Sequence, residues 1–301
     1  MKIKPLISTP LILIPILFVL TSGCLDMDDD EGVDTVAISI LPQKEMVQSI
    51  AGPEIKVITM IPAGQSPHDY SPTPGQLIDL VDADLYFKMG SGVEFETNHL
   101  GTIEETNPSM RMVDLSRGIE IKSFDEHYGS GHHEDEHDHE GTDPHMWLSP
   151  YNMKKMAGTV LEALVEEDPD NEDTYRDNHD EYIRELDGTI EYMEEKLGPH
   201  TGKRFLTYHP AWGYFGDDFQ LIQIAIEEEG KKPGPQGISS IIDQAKDYNI
   251  TVIFVSSQFD SSSAQEIADE IGGEVVEVNS LAEDYMDNLE YVTGEMEKGL
   301  S

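Results

Sequence analysis

One cysteine stands in 301 residues, so no internal disulfide can form. Basic residues are scarce as well: 19 Lys and Arg face 60 Asp and Glu, giving a formal net charge of −41. That balance argues against nucleic acid as a partner, because phosphates need neutralising cations. It suits a surface that stays soluble, high salt included, and one that attracts cations. Several catalytic signatures are missing. There is no H-E-x-x-H helix and no nucleophilic Ser or Cys motif. "EEEGKKPGPQG" (227–237) has glycines and lysines but lacks phosphate-loop spacing, and it reads as a turn-rich connection.

The N-terminus sets the compartment. Lys2 and Lys4 make a short basic start, "LILIPILFVL" (11–20) an apolar core, and "TSGC" (21–24) a small-residue cleavage site. Residues 1–23 therefore read as a secretory signal. The apolar run is short for a membrane span, and Pro15 interrupts it. Cys24 sits where a lipoprotein signal peptidase would leave the mature N-terminus, so it would carry lipid. A cleaved signal with an incidental cysteine, or an uncleaved anchor, is the alternative. Residues 24–34, with "LDMDDDEGVD", read as an acidic solvated tether between membrane and fold.

The remaining chain alternates strand and helix patterns. Strands are expected in "TVAISILPQ" (35–43), "IKVITMIP" (55–62), "ADLYFKMG" (83–90) and "MRMVDLS" (110–116). Later strands are expected in "KRFLTYH" (203–209), "FQLIQIAI" (219–226), "ITVIFVSSQF" (250–259) and "EVVEVN" (274–279). Helical patterns fall between several of them, though none is marked between 90 and 110, and the alternation implies parallel sheets covered on both faces. In mid-chain, apolar residues from Tyr175 to Leu197 recur at a 3–4 spacing with no proline, predicting one helix about 40 Å long. Asp170 is its expected N-cap. The two halves on either side share one architecture without a sequence repeat.

Histidine is where the chemistry gathers. Six of the eleven histidines lie between His127 and His145. His127, His132, His133, His137 and His139 belong to a charged low-complexity run, whereas His145 sits in the apolar "DPHMWLSP". His68 in "SPHDYSP" and His209 in "TYHPAWGYF" likewise have a proline beside them and aromatic residues close by. Three imidazoles converging from separate loops would suit Zn²⁺. Taken singly, each reads more readily as a turn or packed core residue than as a ligand. His99, His179 and His200 read as structural, and Trp147 and Trp212 as core residues that wall or underlie the site.

In order and spacing, "PHDYSPTPGQ", "DPHMWLSP", "YHPAWGYF" and "VSSQF" resemble the zinc- and manganese-type substrate-binding lipoproteins of metal ABC transporters, from about Val36 to Leu289. The resemblance implies two Rossmann-like α/β lobes joined by one long rigid helix, with metal in the cleft between them. The lobes would span 35–168, with the His-rich loop at 125–142, and 199–301, with the linking helix at 169–198. It implies that His68, His145 and His209 are metal ligands. Manganese members typically carry glutamate at the third position, so His209 favours Zn²⁺. Manganese members also place an aspartate where this chain has Asn279, which is expected to be a weak fourth ligand or a supporting partner. Zinc members often carry a His-rich loop, which could collect Zn²⁺ weakly or only be solvated. The implied protein is a monomeric, membrane-anchored extracytoplasmic receptor that delivers Zn²⁺ to an ABC permease, and no enzyme. The alternatives are a manganese or iron receptor, a zinc-dependent hydrolase, and the surface adhesion assigned to some family members.

Overall fold

The computed structural model describes residues 32–124, 141–227, 231–258 and 262–301. Cys24, the expected signal and most of the expected tether, and His127, His132, His133, His137 and His139 lie outside the described residues. The short apolar runs become eight strands in two sheets. β1 (Thr35–Ile38), β2 (Lys56–Thr59), β3 (Leu85–Lys88) and β4 (Arg111–Asp114) lie in the order β2-β1-β3-β4. β5 (Arg204–Thr207), β6 (Ile222–Ala225), β7 (Val252–Ser256) and β8 (Glu274–Val278) lie in the order β6-β5-β7-β8. Every pairing is parallel, and the second order repeats the first.

Parallel strands need covering on both faces, and alternation along the second sheet shows how. Phe205, Val252 and Phe254 face a large core that also takes in the first sheet. Leu206, Tyr208, Ile253 and Val255 face a smaller core under α7 (Pro235–Asp247) and α8 (Ser262–Ile271). Helices α1 (Pro42–Ala51), α2 (Pro74–Asp79) and α3 (Glu94–Thr106) belong to the first sheet. α4 (Pro150–Glu167) leads into the long helix α5 (Glu172–Leu197), and α6 (Gly213–Asp218) follows β5. α5 has 26 residues, about 39 Å at 1.5 Å per residue.

α5 carries Tyr175, Tyr182, Leu186, Ile190, Met193 and Leu197 on its buried side. That side packs against α1 and α4 from the first half and against the last helix, α9 (Tyr285–Leu300). One continuous core therefore crosses from one sheet to the other. Hydrogen bonds tie the halves as well. Trp147 Nε1 donates to Ser280 O at 2.8 Å, and Tyr285 OH donates to Trp147 O at 2.8 Å. Lys44 pairs with Glu283 at 2.6 Å.

Asp170 does not cap α5. Residues Pro169–Asn171 form a 3-10 turn and the helix begins at Glu172. Asp168 organises this turn instead, accepting from Asn171 Nδ2 at 2.8 Å and from Tyr175 OH at 2.6 Å. Glu172 and Asp173 still place charge where the helix dipole favours it. Among the described residues no helix is long and apolar enough to cross a membrane.

Candidate metal centre

In parallel α/β sheets the loops after the strands' carboxyl ends hold ligands. Here both sheets send such loops to one cavity, walled by His68, His145, Trp147, His209, Gln258 and Ser280, among others. His68 lies in the loop between β2 and α2. That loop is fixed by a reciprocal cap, in which Thr73 and Gln76 bond each other's backbone at the start of α2. Gln76 also donates to Met60 O at 2.6 Å and accepts from Tyr70 OH at 2.7 Å, so both ends of the loop are pinned.

His145 precedes a 3-10 turn, Met146–Leu148, and Ser149 then caps α4 by accepting from Asn152 N at 3.1 Å. Ser91 Oγ donates to Pro144 O at 2.6 Å and anchors the segment to the first lobe. His209 lies two residues beyond β5, on the other sheet. His145 and His209 are 4% and 7% exposed, while the His68 side chain is 33% exposed and forms the open side.

Each imidazole meets one carboxylate through Nδ1. His68 reaches Glu94 Oε1 at 3.0 Å, His145 reaches Asp143 Oδ1 at 2.7 Å, and His209 reaches Glu227 Oε2 at 3.1 Å. A carboxylate accepts only, so Nδ1 carries the hydrogen and Nε2 presents its lone pair. One ring nitrogen from each of the three lies within 4.8 Å of the others. His209 and His145 approach through Nε2 at 3.3 Å. A tetrahedral Zn²⁺ with Zn–N near 2.05 Å needs nitrogens about 3.4 Å apart.

The carboxylates are themselves placed by the fold. Glu94 opens α3, whose start is docked on the sheet by buried Glu96, accepting from Met89 N at 2.6 Å and Gly90 N at 2.9 Å. Gly90 has φ +75°, and a Cβ there would collide with Asp114. Asp143 also accepts from His145 N at 2.9 Å, while Tyr214 from the second lobe donates to Asp143 O at 3.4 Å. Glu227 follows β6, and its backbone N donates to Tyr208 O at 2.9 Å.

The hydrogen bond that His68 donates to Glu94 holds the His68 pKa above its usual value, against the effect of burial. Burial pushes His209 down to about 4, with Glu227 opposing and the neighbouring His145 and His68 adding to the fall. Burial, the largest single influence, raises Glu94, but its bond and charge attraction to His68, with its own backbone N–H and His145 adding, together leave the carboxyl below its ordinary value.

Asn279 stands behind the wall. Its Oδ1 accepts from Gln258 Nε2 at 3.0 Å and from Leu281 N at 2.9 Å. Trp147 walls the cavity, while Trp212 packs edge-on against Phe215 at 5.6 Å in the core. His99 packs on Phe95 at 5.3 Å, and His179 sits 3.2 Å from Asp180. Neither joins the cluster. Sequence reasoning singles out neither Glu94 nor Glu227, and takes in Gln258 only within "VSSQF", with no role of its own. Position just past a strand end was the available signal for Glu227 and Gln258, and the first turn of an unforeseen helix hid Glu94.

The chain matches the family model described as zinc-uptake complex component A, periplasmic (ZnuA), over residues 36–299. A high-affinity zinc uptake system protein ZnuA of Bacillus subtilis is 28% identical over 280 residues, 88% of this chain and 85% of that protein. A manganese-binding lipoprotein MntA of Halalkalibacterium halodurans is 27% identical over 310 residues, covering 96% and 97%. A crystal structure of ZnuA superposes with TM-score 0.82 at 33% identity, covering 89% of this chain and 100% of that one. A zinc-bound ZnuA deletion mutant gives 0.80 at 34%, covering 89% and 98%. The family match runs from the first strand into the last turn of α9, and so the chain belongs to the ZnuA family of metal-binding receptors of ABC transporters.

Proposed function

We propose that this protein captures Zn²⁺ outside the cytoplasm with His68, His145 and His209 and delivers it to the permease of an ABC transporter. The observation that carries the reading is the set of three converging imidazoles, each with a carboxylate on Nδ1. Such backing orients the ring and raises its basicity toward metal. Zn²⁺ would shed most of its waters as it passes His68 on the open side, then settle on the buried pair. Metal uptake needs the rings neutral, so acid opposes it. The shared core along α5 supports small lobe movements rather than wide hinge opening. Lipid on Cys24 would keep the receptor at the membrane, as a monomer, and the five histidines from His127 to His139 would collect Zn²⁺ more weakly than the main site.

Manganese is the second reading, favoured by the similarity to a manganese-binding lipoprotein. Nitrogen donors count against it, since Mn²⁺ prefers oxygen. Competitive titration of the chelator-stripped chain from Leu25 with Zn²⁺ and Mn²⁺ separates the two. A clear Mn²⁺ preference would keep the fold and overturn the metal. A screen for ester and peptide hydrolysis by the zinc-loaded chain tests the hydrolase alternative, and a cell-binding assay with and without metal tests adhesion.

A further inference from the structure

The strongest unassigned group in the cavity is the amide of Gln258. Leu281 N donates to Asn279 Oδ1 at 2.9 Å, which fixes that atom as oxygen. The Gln258 atom 3.0 Å from it must then be the NH₂ nitrogen. Gln258 Oε1 is thereby turned away from Asn279. It is buried, has no hydrogen-bond partner among the described residues, and belongs to a residue that lines the cavity together with all three histidines. A buried acceptor without a donor is costly, and such atoms in native folds call for an explanation.

Three imidazoles leave one position of a tetrahedral Zn²⁺ open, and water commonly fills it. Metal-bound water is an acidic, strong donor that needs an acceptor. We infer that Gln258 is a positioning residue of the receptor, whose Oε1 accepts a hydrogen bond from the water completing the Zn²⁺ coordination, with Asn279 holding the amide in that orientation. A neutral acceptor there favours a compact four-coordinate ion and adds no charged oxygen ligand of the kind that suits Mn²⁺. Asn279, at the place where a fourth ligand was anticipated, acts through Gln258. This inference rests on the three-histidine reading above.

The test uses the full chain from Leu25 and three proteins: parent, Gln258→Leu and Gln258→Glu. Zn²⁺ affinity is read by chelator competition, fold by melting of the metal-free chains, and coordination by the visible spectrum of the Co²⁺-loaded proteins. Gln258→Leu is expected to lose about ten- to a hundredfold in Zn²⁺ affinity and to alter the Co²⁺ spectrum. Gln258→Glu keeps an acceptor but loses the donor to Asn279, and is expected to bind Zn²⁺ at least as tightly as the parent. Parent-like affinity in Gln258→Leu overturns the inference. So does equal loss in both variants, since that is what a purely structural bond to Asn279 would give. Should Gln258→Leu melt far below the parent, the Co²⁺ spectrum of Gln258→Glu decides. A changed spectrum supports the position facing the open site, and an unchanged one overturns it. If Zn²⁺ binding in the parent survives removal of all three histidines, the underlying reading falls instead, and this one with it.

Discussion

His145 Nε2 and His209 Nε2 lie 3.3 Å apart although 64 positions separate them in the chain, and each ring is held from behind by an acid. Two rings this close, both buried, are arranged for a shared electrophile. Replacing either by alanine is expected to weaken Zn²⁺ binding by more than about a hundredfold, above the usual loss for a supporting residue. His68→Ala is expected to cost less than either, because its ring is the exposed one. Isothermal titration of the three single variants gives the ranking.

Glu227 meets His209 Nδ1 at 3.1 Å and is not among the three residues whose ring nitrogens converge, so in the proposed function it acts through His209. Glu227→Ala is expected to lower Zn²⁺ affinity about ten- to a hundredfold. Glu227→Gln keeps an acceptor for Nδ1 and is expected to recover part of that loss. Chelator competition on the pair checks it. Equal affinity in the parent and in Glu227→Ala would remove the carboxylate from the account.

Selectivity is expected to lie at position 209. His209→Glu exchanges a nitrogen donor for an oxygen donor, so the ratio of Zn²⁺ to Mn²⁺ affinity should fall. Competition between the two ions on parent and variant measures it, and an unchanged ratio would count against His209 as the selecting ligand.

Asp218 at the end of α6 makes stability depend on pH. Burial pushes its carboxyl up to about 6, with Ser149 and Lys122 opposing and Asp217 adding, and its Oδ2 has no partner among the described residues. The folded chain therefore holds this proton more tightly than the unfolded chain. The stability it contributes is full below the ordinary value of 3.8 and is lost as pH rises through about 6. Asp218→Asn should abolish that loss. We expect the variant to exceed the parent by up to about 3 kcal/mol at neutral pH, and the gap to close near pH 4. Urea unfolding at both values tests the sign.

The brace is testable through packing. Leu186 is fully buried on α5, within the core shared by both sheets. Leu186→Ala is expected to cost about 2–5 kcal/mol by thermal or urea unfolding. It should leave the metal-site spectrum intact if the folded population is compared.

Much of this molecule was legible in its sequence because apolar runs, prolines and histidines are local signals. All eight strand windows contain a strand, although each strand is only four or five residues long. The α5 pattern survived because seven buried positions repeat on one side. α3 was invisible because Phe95 and Ile103 are its only fully buried apolar residues, too few to show a period. The carboxylates behind the imidazoles were hidden differently. Against 60 acidic residues, nothing local marks Glu94 or Glu227 as the ones that meet a ring. Only the sheet order brings Glu227, after β6, beside His209, after β5.

The most direct measurement is a Zn²⁺ and Mn²⁺ competition titration of the chain from Leu25, beside a His68→Ala, His145→Ala, His209→Ala variant that keeps the histidines from 127 to 139. The expected result is one tight Zn²⁺ site in the parent, absent from the variant, with weaker sites remaining in both. Tight Zn²⁺ binding that persists in the variant would contradict the account, and would move the receptor site to the His-rich segment.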